Sequence, residues 1–297
     1  MQAGDLRLAE EFCRDEYEDY VIYSYLAEHE ARGDLREILE RLAREEYEHY
    51  LFWRGVIGRD CAREVGKARL RLIRLMRRVF GLTFTLKWLE KHEERVVEAY
   101  KAYLDKLEGE ERKRLEEIIR DEEEHEKGLM SGIEETIVKY MSFIVLGLAD
   151  AIVEINGVHA GFLGVTDYTV MAGIAGLVVG LSAAVSMASA AYLQAKHEME
   201  RSPMTSALMT GLGYLAASFT LAAPYFFTHR MLVAFTVSVL LGVALIAAFT
   251  YYGSVVFDRK FAREFLESTG LMLATALGSY LFGELIGTYF GLRGLFG

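Results

Sequence analysis

The amino-acid sequence predicts an all-α chain in which a water-soluble four-helix bundle precedes a bundle of five membrane-spanning helices. Three observations carry that reading. Charge is divided sharply along the chain, long apolar runs fill the second half, and the first half repeats a polar pattern at helical spacing. Of the 76 Asp, Glu, Lys and Arg residues, 60 lie in residues 1–139 (34 acidic, 26 basic) and 16 in residues 140–297. The first composition suits water and the second suits hydrocarbon. The expected division is a bundle over 1–136 and a membrane part over 137–297.

Residues 1–139 contain no proline and place apolar and aromatic residues at helical spacing. The pattern predicts helices at 4–32, 34–59, 83–108 and 110–138, with a connector near 60–82. Turns are marked by Arg32-Gly33-Asp34 and Glu108-Gly109-Glu110. The connector holds "REVGKARLRLIRLMRR" (63–78), basic and leucine-rich. It suits either a helix lying on anionic lipid headgroups or a solvated crossover.

The bundle sequence repeats itself. Glu16 is followed seven residues later by Tyr23, and Glu93 seven later by Tyr100. Glu46-x-x-His49 stands thirty residues after Glu16, and Glu122-x-x-His125 stands 29 after Glu93. Residues three apart share a helix face, so each Glu-x-x-His aims one carboxylate and one imidazole in one direction. One Glu from each of two helices and a Glu-x-x-His from each of the other two is the ligand set of a carboxylate-bridged di-metal centre. Oxygen and imidazole ligands suit Fe(II) and Mn(II), and four carboxylates offset two divalent cations. The expected ligands are therefore Glu16, Glu46, His49, Glu93, Glu122 and His125, with Glu94 a weaker candidate on the third helix.

Five apolar runs follow, at about 141–163, 169–195, 204–228, 231–257 and 270–291. Each reaches the roughly 20 residues a helix needs to span hydrocarbon. Lys139, Lys196, Arg201, Arg259, Lys260 and Arg263 fall on one side, and Arg230 and Arg293 on the other. The positive-inside rule then puts the bundle in the cytoplasm and the C-terminus outside, in a multi-pass protein of the cell membrane. Small residues at Gly157/Gly161, Gly176/Gly180 and Gly283/Gly287/Gly291 predict close helix packing. Carboxylates within a span mark ion or proton paths, so Asp150 and Glu154, four residues apart in the first span, are candidate path residues. Met187 in the second span joins them as a thioether, with Asn156, His159 and Glu284 as weaker candidates.

Other features exclude classes. The net charge of −10 and the lack of a basic stripe interleaved with aromatics argue against a nucleic-acid partner. Gly211-x-Gly213-x-x-Ala216 follows no strand, so it is not a dinucleotide fingerprint. No apolar leader opens the chain. Cys13 and Cys61, far apart, are expected as ordinary buried or free thiols.

Through Glu16, Glu46-Tyr47-Glu48-His49, Glu93 and Glu122-Glu123-Glu124-His125, residues 1–135 resemble the erythrin or rubrerythrin branch of the ferritin-like proteins. The resemblance implies a di-iron site able to oxidise Fe(II) with O2 or peroxide; two separated cysteines cannot add a four-cysteine rubredoxin centre. Residues 137–297 resemble the vacuolar iron transporter family through "GLADAIVEINGVHAG" (147–161) and "GLSAAVSMASAAYL" (180–193). By that resemblance Asp150 and Met187 line an Fe(II) path. Two departures stand: the family's Gly-Glu before the tyrosine is Ala190-Ala191 here, and the loop between spans two and three is reduced to "AKHEMERSP". The fused arrangement resembles the membrane-bound ferritins. The expectation is an Fe2+ exporter with an iron-collecting and possible ferroxidase bundle, a homodimer coupled to H+. The alternatives are a membrane-tethered ferroxidase or peroxide scavenger, an Mn2+ exporter, and an iron sensor regulating its own channel.

Overall fold

The computed structural model describes residues 3–91, 93–132, 135–197 and 201–291, with side chains described for all of these except 3, 93–95 and 124–132. Among the described residues all regular structure is helical, joined by short loops and without strands. It divides into two compact units, residues 1–135 and 136–297.

In the first unit, α1 (Ala3–Glu28) and α2 (Gly33–Ile57) form a long hairpin. α2 stops at Gly58, whose φ of 68° is the left-handed cap that glycine adopts without penalty. The connector contains its own helix, α3 (Lys67–Phe80). The expected third helix is broken: α4 (Leu82–Glu90) and α5 (Glu93–Tyr103) are separate, and a 3-10 turn over Leu104–Lys106 follows. The fourth helix is α6 (Gly109–Gly132), beyond which residues 133–134 lie outside the described residues.

Two apolar layers hold the bundle. One gathers Ile22, Tyr23, Leu26, Leu39, Leu42, Ile73 and Leu86. The other gathers Phe12, Trp53, Tyr100, Tyr103, Leu115 and Ile118. Both layers draw on α1 and α2, and the polar residues Glu16, Glu46 and His49 fall between them along those helices. Cys13 and Cys61, expected as thiols, are joined by a disulfide with a Cα–Cα distance of 6.1 Å. The α2–α3 loop carries Cys61 back to the second layer, a return that sequence separation hides.

The last residue of this unit closes it. Glu135 accepts hydrogen bonds from Leu82 N (2.8 Å) and Thr83 N (2.9 Å), covering the first turn of α4 with a carboxylate. Gly81 precedes that turn at φ 94°, and a Cβ there would meet the Glu135 carboxylate at 2.7 Å. The backbone therefore favours glycine, and a side chain there would push the Glu135 carboxylate aside.

The second unit begins with a single turn, α7 (Thr136–Lys139). Five helices long and apolar enough to cross a membrane follow: α8 (Met141–Val165), α9 (Thr169–His197), α10 (Pro203–Ala222) continued by α11 (Pro224–Phe227), α12 (Met231–Val256) and α13 (Phe261–Tyr289). The chain thus reads as a membrane protein. Pro224 divides the third span because it cannot donate to the preceding turn. α13 starts at Phe261, nine residues before the apolar run, since its first turns hold Arg263, Glu264 and Glu267.

α8 is the centre of this unit and packs against α9, α10, α12 and α13. Its glycines explain how. A Cβ on Gly283 of α13 would strike the backbone of Gly161, and one on Gly164 would strike the backbone of Gly283 and Glu284. The expected small-residue contact therefore operates at Gly161 and Gly283. Gly291 differs, lying beyond α13 with nothing within 4 Å of an added Cβ.

Candidate metal centre

Three helices of the first unit converge on one buried polar point. α1 supplies Glu16, α2 supplies Glu46 and His49, and α6 supplies Glu122; one ligand atom from each lies within 4.8 Å of the others. His49 Nδ1 is 2.9 Å from Glu122 Oε1 and 3.6 Å from both Glu16 Oε2 and Glu46 Oε2. Asp121 Oδ2 stands 3.8 Å from the other ring nitrogen. Glu16, Glu46, His49 and Glu122 are 4, 2, 1 and 7% exposed, so water cannot neutralise this charge.

The electrostatics follow from that burial. Desolvation, with the charge of Glu122 next, raises the Glu46 carboxyl well above its usual range. Burial acts against a charged His49, yet Asp121, Glu122 and Glu16 outweigh it and raise the imidazole pKa well above its ordinary value. Tyr100, from α5, donates its hydroxyl to Glu16. Its own ionisation is pushed up by burial first and then by the Glu16 and Glu122 charges.

A cavity of about 360 Å3 reaches this point. Its wall includes Asp15, Glu18 and the half-buried Asp19 beside Glu16, Glu46 and Glu122. The Asp19 carboxyl is raised well above its usual range by burial and then by Glu16. The donor set fits a divalent metal of the Fe or Mn type: hard carboxylate oxygens, one borderline imidazole and a surplus of negative charge. Glu16, Glu46, His49 and Glu122 are the described residues that would hold it. The side chains of Glu93, Glu94 and His125 lie outside the described residues.

In the membrane unit, Asp150 and Glu154 stand one turn apart on α8, both half-buried. Tyr214 of α10 donates its hydroxyl to Glu154. Met187 is partly buried against the cluster of Ala151, Ile155, Ala184 and Tyr214. Asn156 and His159 are fully buried further along α8. Ser238 Oγ lies 3.4 Å from Asn156 Oδ1 and 3.5 Å from His159 Nδ1, and the His159 ring packs against Tyr225 at a tilt, 4.1 Å between centroids. Glu284 sits half-buried on α13, where its backbone approaches Gly164.

Sequence reasoning did not single out two hydroxyls at these sites. Tyr100 was readable as the residue seven after Glu93, yet it serves Glu16 of the other hairpin. Nothing in the apolar context of Tyr214 announces a partner 60 residues away.

A four-helix bundle that turns carboxylates and an imidazole onto a buried centre is the ferritin-like class. Within that class, residues 10–132 match the Rubrerythrin family model, so the first unit carries a rubrerythrin-type domain. No curated protein and no solved structure matches the chain.

Proposed function

We propose that this protein moves Fe2+ out of the cytoplasm through its membrane helices, with the rubrerythrin-type domain collecting the metal. The observation that carries the reading is a buried Glu16/Glu46/His49/Glu122 centre in one chain with five membrane-length helices, the central one bearing Asp150 and Glu154. The resemblance of 147–161 and 180–193 to the vacuolar iron transporter family supports the same assignment. The acidic wall of the cavity that leads to Glu16 favours a cation over an anion. Fe2+ is the favoured cargo, and the donor set also admits Mn2+.

Asp150 and Glu154 are the carboxylates the cation meets within the membrane. A proton and a divalent cation compete for the same oxygens, so proton movement in the opposite direction is the natural coupling. Tyr214 holds Glu154 in one orientation through its hydroxyl. The working form is a homodimer, with the path lined by both copies, the bundle cytoplasmic and the C-terminus outside.

Proteoliposomes loaded with an Fe2+-sensitive dye test this. Asp150→Ala is expected to abolish flux, and Glu46→Ala/Glu122→Ala only to slow it. Wild-type protein that carries no metal while consuming O2 with Fe2+ would establish the second reading, a membrane-tethered ferroxidase. That reading is favoured by one observation, the match of the bundle alone to the Rubrerythrin family.

A further inference from the structure

Helix α3 supplies no ligand to the metal centre and no residue to the membrane path, yet its surface is the most polarised in the bundle. Its 14 residues, "KARLRLIRLMRRVF", include six basic residues and no acidic one. The helix presents three distinct faces. The first is turned into the bundle: Ile73 is buried with Leu39 and Leu86, Leu70 packs beside it, and Arg77 pairs with Glu30 at 2.6 Å.

The second face is apolar and open. Leu72, Leu75 and Val79 are 57, 55 and 56% exposed. Their spacing of three and four residues makes them one stripe. The third face lies next to it and holds Lys67, Arg71, Arg74 and Arg78, all exposed. These four are again spaced four, three and four apart. None has an ion-pair partner among the described residues, whereas Arg14, Arg32, Arg59, Arg69, Arg77 and Arg114 of the same unit each pair with a carboxylate.

An exposed stripe of leucine and valine beside an unpaired row of four cations fits a surface that is itself half apolar and half anionic. A bilayer with acidic headgroups has that layering: phosphates outermost and acyl chains just beneath. The chain carries five membrane-length helices, so a bilayer is always its neighbour. We infer that α3 lies in the interface of an anionic bilayer, with Leu72, Leu75 and Val79 in the acyl boundary and Lys67, Arg71, Arg74 and Arg78 on lipid phosphates.

This surface bears on the metal centre. Arg69 of α3 pairs with Glu18, and both residues line the cavity leading to Glu16 and Glu46. A bilayer-seated α3 therefore holds one wall of that cavity at the lipid surface. The inference goes beyond transport and stands whether or not the chain carries iron across.

The test uses the full chain in nanodiscs of phosphatidylcholine, alone or mixed with phosphatidylglycerol. Leu75→Cys is labelled with a fluorophore; the native cysteines are joined to each other and do not compete. Brominated acyl chains are expected to quench the label in the anionic discs and much less in the neutral ones. Arg71→Glu/Arg74→Glu/Arg78→Glu is expected to lower the seated fraction by more than about tenfold, and high salt to act in the same direction. Leu72→Asn/Val79→Asn, which leaves every cation in place, is expected to reduce the quenching as well. Equal quenching in both disc types, or none in either, overturns the inference. Protection of residues 67–80 from hydrogen exchange that rises with protein concentration in detergent also overturns it, because the face would then cover a second copy.

Discussion

The two units bury histidine in opposite ways. His49 sits among three carboxylates and faces Asp121 with its second nitrogen. His159 is equally buried, but beside it stand Ser238, near Asn156, the tilted ring of Tyr225 and the backbone of Gly176 rather than carboxylates. Burial therefore does not distinguish a metal ligand; the company does. The carboxylates follow the same division. The bundle draws Glu16, Glu46 and Glu122 from three helices to one point, whereas the membrane unit sets Asp150 and Glu154 along a single helix. The first geometry suits holding a cation, and the second, on the function proposed above, suits passing one along.

The sharpest way to break that comparison is to remove each set separately. Asp150→Ala should abolish Fe2+ flux while metal bound to the bundle, counted by elemental analysis, stays unchanged. Glu46→Ala/Glu122→Ala should do the reverse, with bound metal falling to background and flux slowed. If both variants lose both properties, the division between a retaining and a passing site is wrong.

A smaller effect is expected from Cys13→Ala/Cys61→Ala. The cross-link spans 48 residues and supports the aromatic layer beside Glu16. Its loss should cost about 4 kcal/mol by loop entropy, read as a lower unfolding midpoint of the bundle with metal stoichiometry retained. Tyr214→Phe removes one hydrogen bond to Glu154, a loss of about 0.5–1.5 kcal/mol. It should slow Fe2+ flux, read in the same proteoliposomes, and leave bundle metal unaffected.

The smallest effect concerns the metal-free protein. Glu46 has a raised pKa, so its ionisation in the folded state weakens the bundle as pH rises above 4.5, its ordinary value. His49 also has a raised pKa, and the stability it supplies is complete below 6.5 and is lost as pH rises through its folded value. Both contributions run the same way. Without metal, the unfolding midpoint should fall from mildly acidic to alkaline pH, and bound Mn2+ should flatten the slope. A midpoint of the metal-free protein that rises over this range would contradict it.

What the sequence discloses depends on how far apart the interacting residues lie. Glu46 and His49 are three residues apart on one helix, so their shared direction follows from periodicity alone. The five apolar helices are legible for the same reason, and only the start of α13 was hidden by its charged first turns. The break between α4 and α5 has no glycine or proline to announce it, so the third helix looked continuous. Residues 13 and 61 meet only because the loop after Gly58 folds back, and Tyr214 reaches Glu154 only because α10 packs on α8. Neither meeting leaves a local trace in composition or spacing.

The carboxylate of Glu135 on the first turn of α4 has a consequence for cutting the protein in two. The polypeptide leaves the bundle through a residue fastened by two hydrogen bonds to a segment 52 and 53 positions earlier. Tension on the strand beyond it falls on that fastening before it reaches α6. A protease acting after Glu135 releases a bundle with its clasp intact. One acting a residue sooner takes the carboxylate away from the amides of Leu82 and Thr83, and α4 is then held by Leu82, Leu86 and Leu89 in the first apolar layer.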